Sequence, residues 1–194
     1  MSESWDQYAE GWDSNADVIL YSERAFDSLC KLVNLEGLSV LDFGCGTGLL
    51  TERMAQKANQ ILGLDSSEKM ISVLQSKQLN NVETLVADIS EEAIKSSASL
   101  KSKYDLIVAS SVCAFLPDYE GTLQLLKTLL KPNGTFVQWD WLKEEGESGF
   151  GLDEKAIETA LSKSGMKIIK IEKTFSLESK EGLMQVIMGV AKNA

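Results

Sequence analysis

Short apolar runs recur along the chain, separated by stretches in which apolar residues return every three or four positions. SVLDFG (39–44), QILGLD (60–65), VETLVAD (82–88), YDLIVAS (104–110) and TFVQWDW (135–141) read as strands. The most apolar of them predict burial on both faces, as in a parallel sheet. Helical spacing follows the first run at Leu49, Leu50, Met54 and Ala58. It returns at Met70, Ile71 and Leu74, where Ser66 or Ser67 can cap the start. A third helix carries Leu123, Leu126, Leu129 and Leu130, opened by Asp118 and closed before Pro132-Asn133-Gly134. Strand–helix alternation of this kind predicts an α/β, doubly wound, mostly parallel sheet with right-handed crossovers.

The rhythm changes at the C-terminal end. A helix is predicted from Asp153 to Ser164, with Gly165 as its cap. MKIIKIEKTFSL (166–177) and LMQVIMGVAKN (183–193) then follow with no helix between them. So short a connection allows a hairpin and no parallel crossover. Five strands plus this antiparallel hairpin make a seven-stranded sheet.

Composition narrows the function. The 194 residues carry 29 acids against 19 bases, a net charge of −10. That disfavours nucleic acid and anionic membranes, which attract clustered lysine and arginine. Lys163, Lys167, Lys170 and Lys173 alternate with apolar residues and read as a solvated face. A chain of this length is expected to be a single domain, 1–194. No run approaches the length of a membrane span, and MSESWDQYAE lacks the features of a signal peptide. The three cysteines, Cys30, Cys45 and Cys113, are too far apart for a disulfide framework or a metal site. A cytoplasmic, reduced location is expected. The chain has no histidine, which removes histidine-based hydrolysis and histidine general bases.

The densest signal is VLDFGCGTGLLT (40–51), where Gly44, Gly46 and Gly48 follow a strand and open a helix. Such a turn needs positive φ angles or close approach of a ligand to bare backbone. Helix N-termini favour anions, and an acid ending the next strand, here Asp65, commonly holds ribose hydroxyls. The dinucleotide pattern G-x-G-x-x-G fails, because its third glycine falls on Leu49 or Thr51. Asp-x-Gly-x-Gly-x-Gly is complete as Asp42, Gly44, Gly46 and Gly48.

On this motif, on Asp65 followed by SSEKM, on Asp88 ending VETLVAD, on YDLIVASSVCAFLPD and on Leu-Lys-Pro-Asn-Gly, the chain resembles the class I S-adenosylmethionine-dependent methyltransferases. The resemblance covers nearly the whole sequence and includes the terminal hairpin. It implies a Rossmann-like methyltransferase fold, S-adenosylmethionine as cofactor with S-adenosylhomocysteine as product, and an N-terminal helical lid over 1–36. It further implies that Gly44, Cys45 and Gly46 lie against the ligand, and that Asp42 helps hold its amino group through water. Asp65 would grip the ribose; Ser66 and Met70 would border adenine; Asp88 and Ile89 would read its amine; Ser110 would face the sulfonium. From the lid, where Trp5, Tyr8 and Trp12 share one helical face, Tyr8 is the expected contact. The competing reading is that Met70 is core, that Asp88 caps a helix near Ser90, and that the ring stripe only docks the segment.

The methyl acceptor is expected to be a small molecule, since neither the Asn/Asp-Pro-Pro-Tyr/Phe signature nor a Pro-Cys nucleophile is present. Tyr119, Asp118, Asp140 and Glu144 are the candidate bases, and none is assigned. Trp139 and Trp141 either line the acceptor site or pack on the sheet face. A non-catalytic module binding the same cofactor is the alternative.

Overall fold

The computed structural model describes residues 5–143, 150–179 and 182–194. Seven strands, β1 (Ser39–Phe43), β2 (Gln60–Asp65), β3 (Val82–Val86), β4 (Tyr104–Ser110), β5 (Leu130–Trp141), β6 (Lys167–Ser179) and β7 (Gly182–Lys192), form one sheet. Its order is β3-β2-β1-β4-β5-β7-β6. The first five strands pair in parallel, and β7 inserts antiparallel between β5 and β6. The mostly parallel sheet with a terminal hairpin is thus observed. The chain order reverses between β1 and β4, which opens a crevice at the carboxyl ends of those strands.

Among the described residues six α-helices accompany the sheet: α1 (Ala16–Leu32), α2 (Leu49–Ala55), α3 (Glu68–Ser76), α4 (Glu91–Ser96), α5 (Tyr119–Leu129) and α6 (Glu154–Lys163). Local chemistry sets their starts. Asn15, Ser67, Ser90, Asp118 and Asp153 each accept an N–H from the first turn of the helix they precede. Ser90 therefore caps α4, and Asp88 does not.

Adjacent strand residues feed two opposed cores, the pattern that continuous apolar runs predict. Leu106 and Val108 join Ala25, Leu29, Met54 and Trp139 on one face. Ile107 and Ala109 join Leu123, Leu126, Phe136 and Ile157 on the other. Two expectations need correction. Strand β5 begins at Leu130, because Asn133 (φ +63°) donates its N–H to Asn193 O and Asn193 donates its N–H to Gly134 O, which draws the Pro132-Asn133-Gly134 turn into the ladder. The helical part of 1–36, α1, packs into the core, with Ala25 and Leu29 fully buried. Trp5, Tyr8 and Trp12 do not share one helix, since Gly11 (φ +81°) breaks the segment before a 3-10 turn at Trp12–Ser14. The loop expected around 144–151, with candidate base Glu144, lies largely outside the described residues.

Candidate active site

At the end of β1 the chain leaves the sheet through three glycines with φ of +68°, +55° and +82° at Gly44, Gly46 and Gly48. A Cβ at Gly44 would stand 2.5 Å from the Val112 side chain, and one at Gly48 would run into the Leu74 side chain. Those two glycines are demanded by packing as well as by φ. At Gly46 a Cβ would meet nothing within 4 Å. The middle of the turn thus presents bare backbone to open space. That is the cradle a ligand would need.

The turn is tied to β2 from several sides. Gly44 and Cys45 donate their N–H groups to Leu64 O at 2.8 and 3.1 Å. Asp65 accepts Gly46 N–H at 2.8 Å on one carboxylate oxygen and Ser67 N–H at 2.9 Å on the other. Burial raises its pKa, opposed by those backbone bonds, while Asp88 adds a smaller repulsion. Asp42 is turned inward. It is 1% exposed, accepts Thr51 Oγ1 at 2.6 Å, and braces the turn against α2. Burial pushes its carboxyl up to about 7.

Of the remaining expected residues, Ser66, Ile89 and Ser110 are half-buried at the carboxyl edge, and Asp88 is exposed just beyond β3. Met70 is 2% exposed. Cys45 packs its side chain with Ile71 and Leu74. Tyr8 is 56% exposed. The ring that turns inward is Trp5, edge-on to Phe115 at 4.8 Å.

Sequence reasoning missed the acids of this segment. Asp6 accepts Ser67 Oγ and, at 3.3 Å, Lys69 N–H at the start of α3. Asp13 accepts Thr47 Oγ1 in the glycine turn and pairs with Lys77 at 2.8 Å. Residues 5–14 therefore close over the turn with two carboxylates. The available signal was the repeated Trp-Asp pair, Trp5-Asp6 and Trp12-Asp13.

A second polar centre lies at the ends of β4 and β5. Past β4, Ser111 (φ +57°) donates its N–H to Trp139 O at 2.7 Å, and a 3-10 turn at Cys113–Phe115 follows. Asp140, fully buried, accepts Ala114 N–H at 3.1 Å and Gln138 Nε2 at 3.0 Å. Tyr119 donates its hydroxyl to Gln138 Oε1 at 2.6 Å. Burial drives Asp140 up to about 7, and the bonds from Ala114, Gln138 and Cys113 oppose the shift. Asp118 is the cap of α5 and does not enter this network. Trp139 and Trp141 leave the opposite face. Trp139 Nε1 bonds Ser28 Oγ of α1 at 2.8 Å, and Trp141 packs on Tyr21 at 5.1 Å. Both pack beneath α1.

A crevice at the reversal of strand order, with a glycine cradle on one side and an acid on the next strand, defines the Rossmann-like fold of class I adenosylmethionine-dependent methyltransferases. The sequence profile described as "Methyltransferase domain" matches residues 34–175, most of the chain, and the chain belongs to that family. A ubiquinone biosynthesis O-methyltransferase of Leptothrix cholodnii is 37% identical over 102 residues, covering 52% of this chain and 43% of that protein. The match thus spans less than half of that relative's length. Among solved structures, the N-methyltransferase NodS of Bradyrhizobium japonicum with S-adenosylhomocysteine has a TM-score of 0.72 at 16% identity, covering 99% of this chain and 97% of that one. The [4+2]-cyclase SpnF has a TM-score of 0.70 at 18% identity, covering 87% and 79%. Among the described residues, no acidic or cysteine cluster could hold a metal, and no helix is long and apolar enough to cross a membrane.

Proposed function

We propose that this chain transfers the methyl group of S-adenosylmethionine to a small-molecule acceptor. The observation that supports this most directly is the open backbone at Gly46 beside the carboxylate of Asp65. Asp65 would hold the ribose hydroxyls, releasing Gly46 N–H toward the ligand as it does so. Gly44 and Cys45 would lie against the ligand through main-chain atoms, and Asp42 would act on its amino group through water. Ser66, Asp88 and Ile89 would border adenine, and Ser110 the sulfonium. Residues 5–14 form the lid part of 1–36. The net charge of −10 and the likeness to ubiquinone biosynthesis O-methyltransferases favour a small acceptor over nucleic acid.

When bound, the cofactor supplies an activated methyl group and a thioether leaving group. The protein's part is to align the acceptor, exclude water and accept a proton. Calorimetry with S-adenosylmethionine, S-adenosylhomocysteine and NAD tests the reading. The first two bind and NAD does not. Asp65→Ala weakens cofactor binding by about 1–3 kcal/mol. Unchanged affinity in that variant would overturn the ribose assignment.

A further inference from the structure

Residues 5–14 touch the crevice on several rims, and each contact falls beside a residue given a role above. Thr47 stands directly after Gly46 in the glycine turn, and its hydroxyl donates to Asp13 Oδ1. Ser67 stands just beyond Asp65. It donates its N–H to Asp65 Oδ1 at 2.9 Å and its hydroxyl to Asp6 Oδ1. The remaining contact is the ring of Trp5, edge-on to Phe115 at 4.8 Å in the 3-10 turn after β4. One short segment thus joins the chain just past β1, β2 and β4.

The two carboxylate contacts are the strong ones. A hydroxyl donating to a charged carboxylate makes a short bond, about twice as strong as a neutral one. Both donors are removed from water, Ser67 at 0% exposure and Thr47 at 1%. Asp6 also accepts Lys69 N–H at 3.3 Å in the first turn of α3. Asp13 adds an ion pair, with Lys77 at 2.8 Å, and Lys77 in turn reaches Glu52 of α2 at 3.1 Å. That pair is partly open to solvent, so salt screens it. Gly11 (φ +81°) bends the segment between the two acids. A continuous helix would hold both on one side, about 10 Å apart. The bend instead lets one reach the start of α3 and the other the glycine turn.

We propose that residues 5–14 are a strap with two locks, and that Asp6 and Asp13 set how long the cofactor stays bound. The inference rests on the methyltransferase reading above and adds a retention device to the same site. Each acid is a positioning residue. Asp6 acts through Ser67 on Asp65, and Asp13 acts through Thr47 on the turn at Gly46. Cofactor leaves when both locks break and the strap swings away from α1. That helix is the fixed anchor, capped by Asn15 and held in the core by Ala25 and Leu29. Trp5 adjoins one lock and Trp12 the other, so opening the strap exposes both rings to solvent.

The test times the release of radiolabelled S-adenosylmethionine into an excess of unlabelled S-adenosylhomocysteine. Asp6→Ala and Asp13→Ala each speed release about tenfold, and the double variant multiplies the two effects. Lys77→Met, which keeps both acids, speeds it about threefold. Raising sodium chloride from about 0.05 to about 0.5 M speeds release from the wild type and from Asp6→Ala, and leaves Asp13→Ala and Lys77→Met unchanged. A merely structural role would not split the salt response in this way. A second readout needs no cofactor: acrylamide quenching of tryptophan fluorescence rises in both alanine variants, over a constant background from Trp139 and Trp141 beneath α1. Release within twofold of wild type in both variants, with binding intact, overturns the strap, as does unchanged quenching. A double variant no faster than either single one overturns the two-lock arrangement. A wild-type chain that binds neither ligand is the separate failure of the underlying methyltransferase reading, and this role for the strap falls with it.

Discussion

Two carboxylates, Asp42 at the end of β1 and Asp140 at the end of β5, share a physical state and differ in how they reach it. Both are fully buried, and burial pushes both up to about 7. Asp42 is held by a residue nine positions away, Thr51, within one strand–turn–helix unit. Asp140 is held by Ala114 from the turn after β4 and by Gln138, whose pose depends on Tyr119 of α5. The first centre is a local motif whose geometry follows from glycine spacing. The second is assembled from separate parts of the chain and exists only once the sheet has formed. A fold that hosts many reactions can keep the first kind of centre and vary the second.

Titration should produce the largest effect on this comparison. Below the unfolded carboxyl pKa near 3.8, both states are protonated and stability is complete. From there to about 7 the unfolded chain has ionised while native Asp42 and Asp140 keep their protons, so stability falls as pH rises. A shift of that size amounts to at most about 4 kcal/mol per group. Urea unfolding from pH 4 to 8 should show this decline, and Asp140→Asn should remove roughly half of it. A flat profile in the wild type would show that neither group is held protonated.

Next comes the turn itself. Gly44→Ala forces a side chain into Val112 at positive φ and should destabilise by about 2–4 kcal/mol. Gly46→Ala meets no neighbour, so its stability cost should be near 1–2 kcal/mol, from φ alone. Its cofactor affinity should nevertheless fall, because the added methyl enters the open cradle. Equal stability losses in the two variants would remove the distinction between a packed and an open glycine.

Thr51→Val removes the hydroxyl that Asp42 accepts and should cost about 1–3 kcal/mol at pH 8. The cost should shrink at pH 5, where the carboxyl is protonated. The smallest effect is expected away from both centres, at Tyr21 of α1. Tyr21→Phe deletes a hydroxyl that has no partner, so thermal unfolding of the ligand-free protein should be unchanged or slightly more resistant. A clear loss of stability would show that the phenol already has a structural partner.

Periodicity and motif spacing were enough to read the parallel sheet, the terminal hairpin, the capped helices and the aspartate–glycine turn. Each rests on interactions within about a dozen residues: apolar alternation, a capping side chain, a glycine that alone tolerates positive φ. Spacing alone did not show that Met70 is buried and Tyr8 exposed, or that Gly11 interrupts the helical stripe of Trp5, Tyr8 and Trp12. The clasp of Asp6 and Asp13 on the crevice also spans too much chain to read from spacing. So does the burial of Asp140 beneath the Cys113–Phe115 turn. Those depend on which helix covers which face and on how far each side chain is removed from water. Burial and the pKa shifts it causes are properties of the packed whole, so only the tertiary structure decided them.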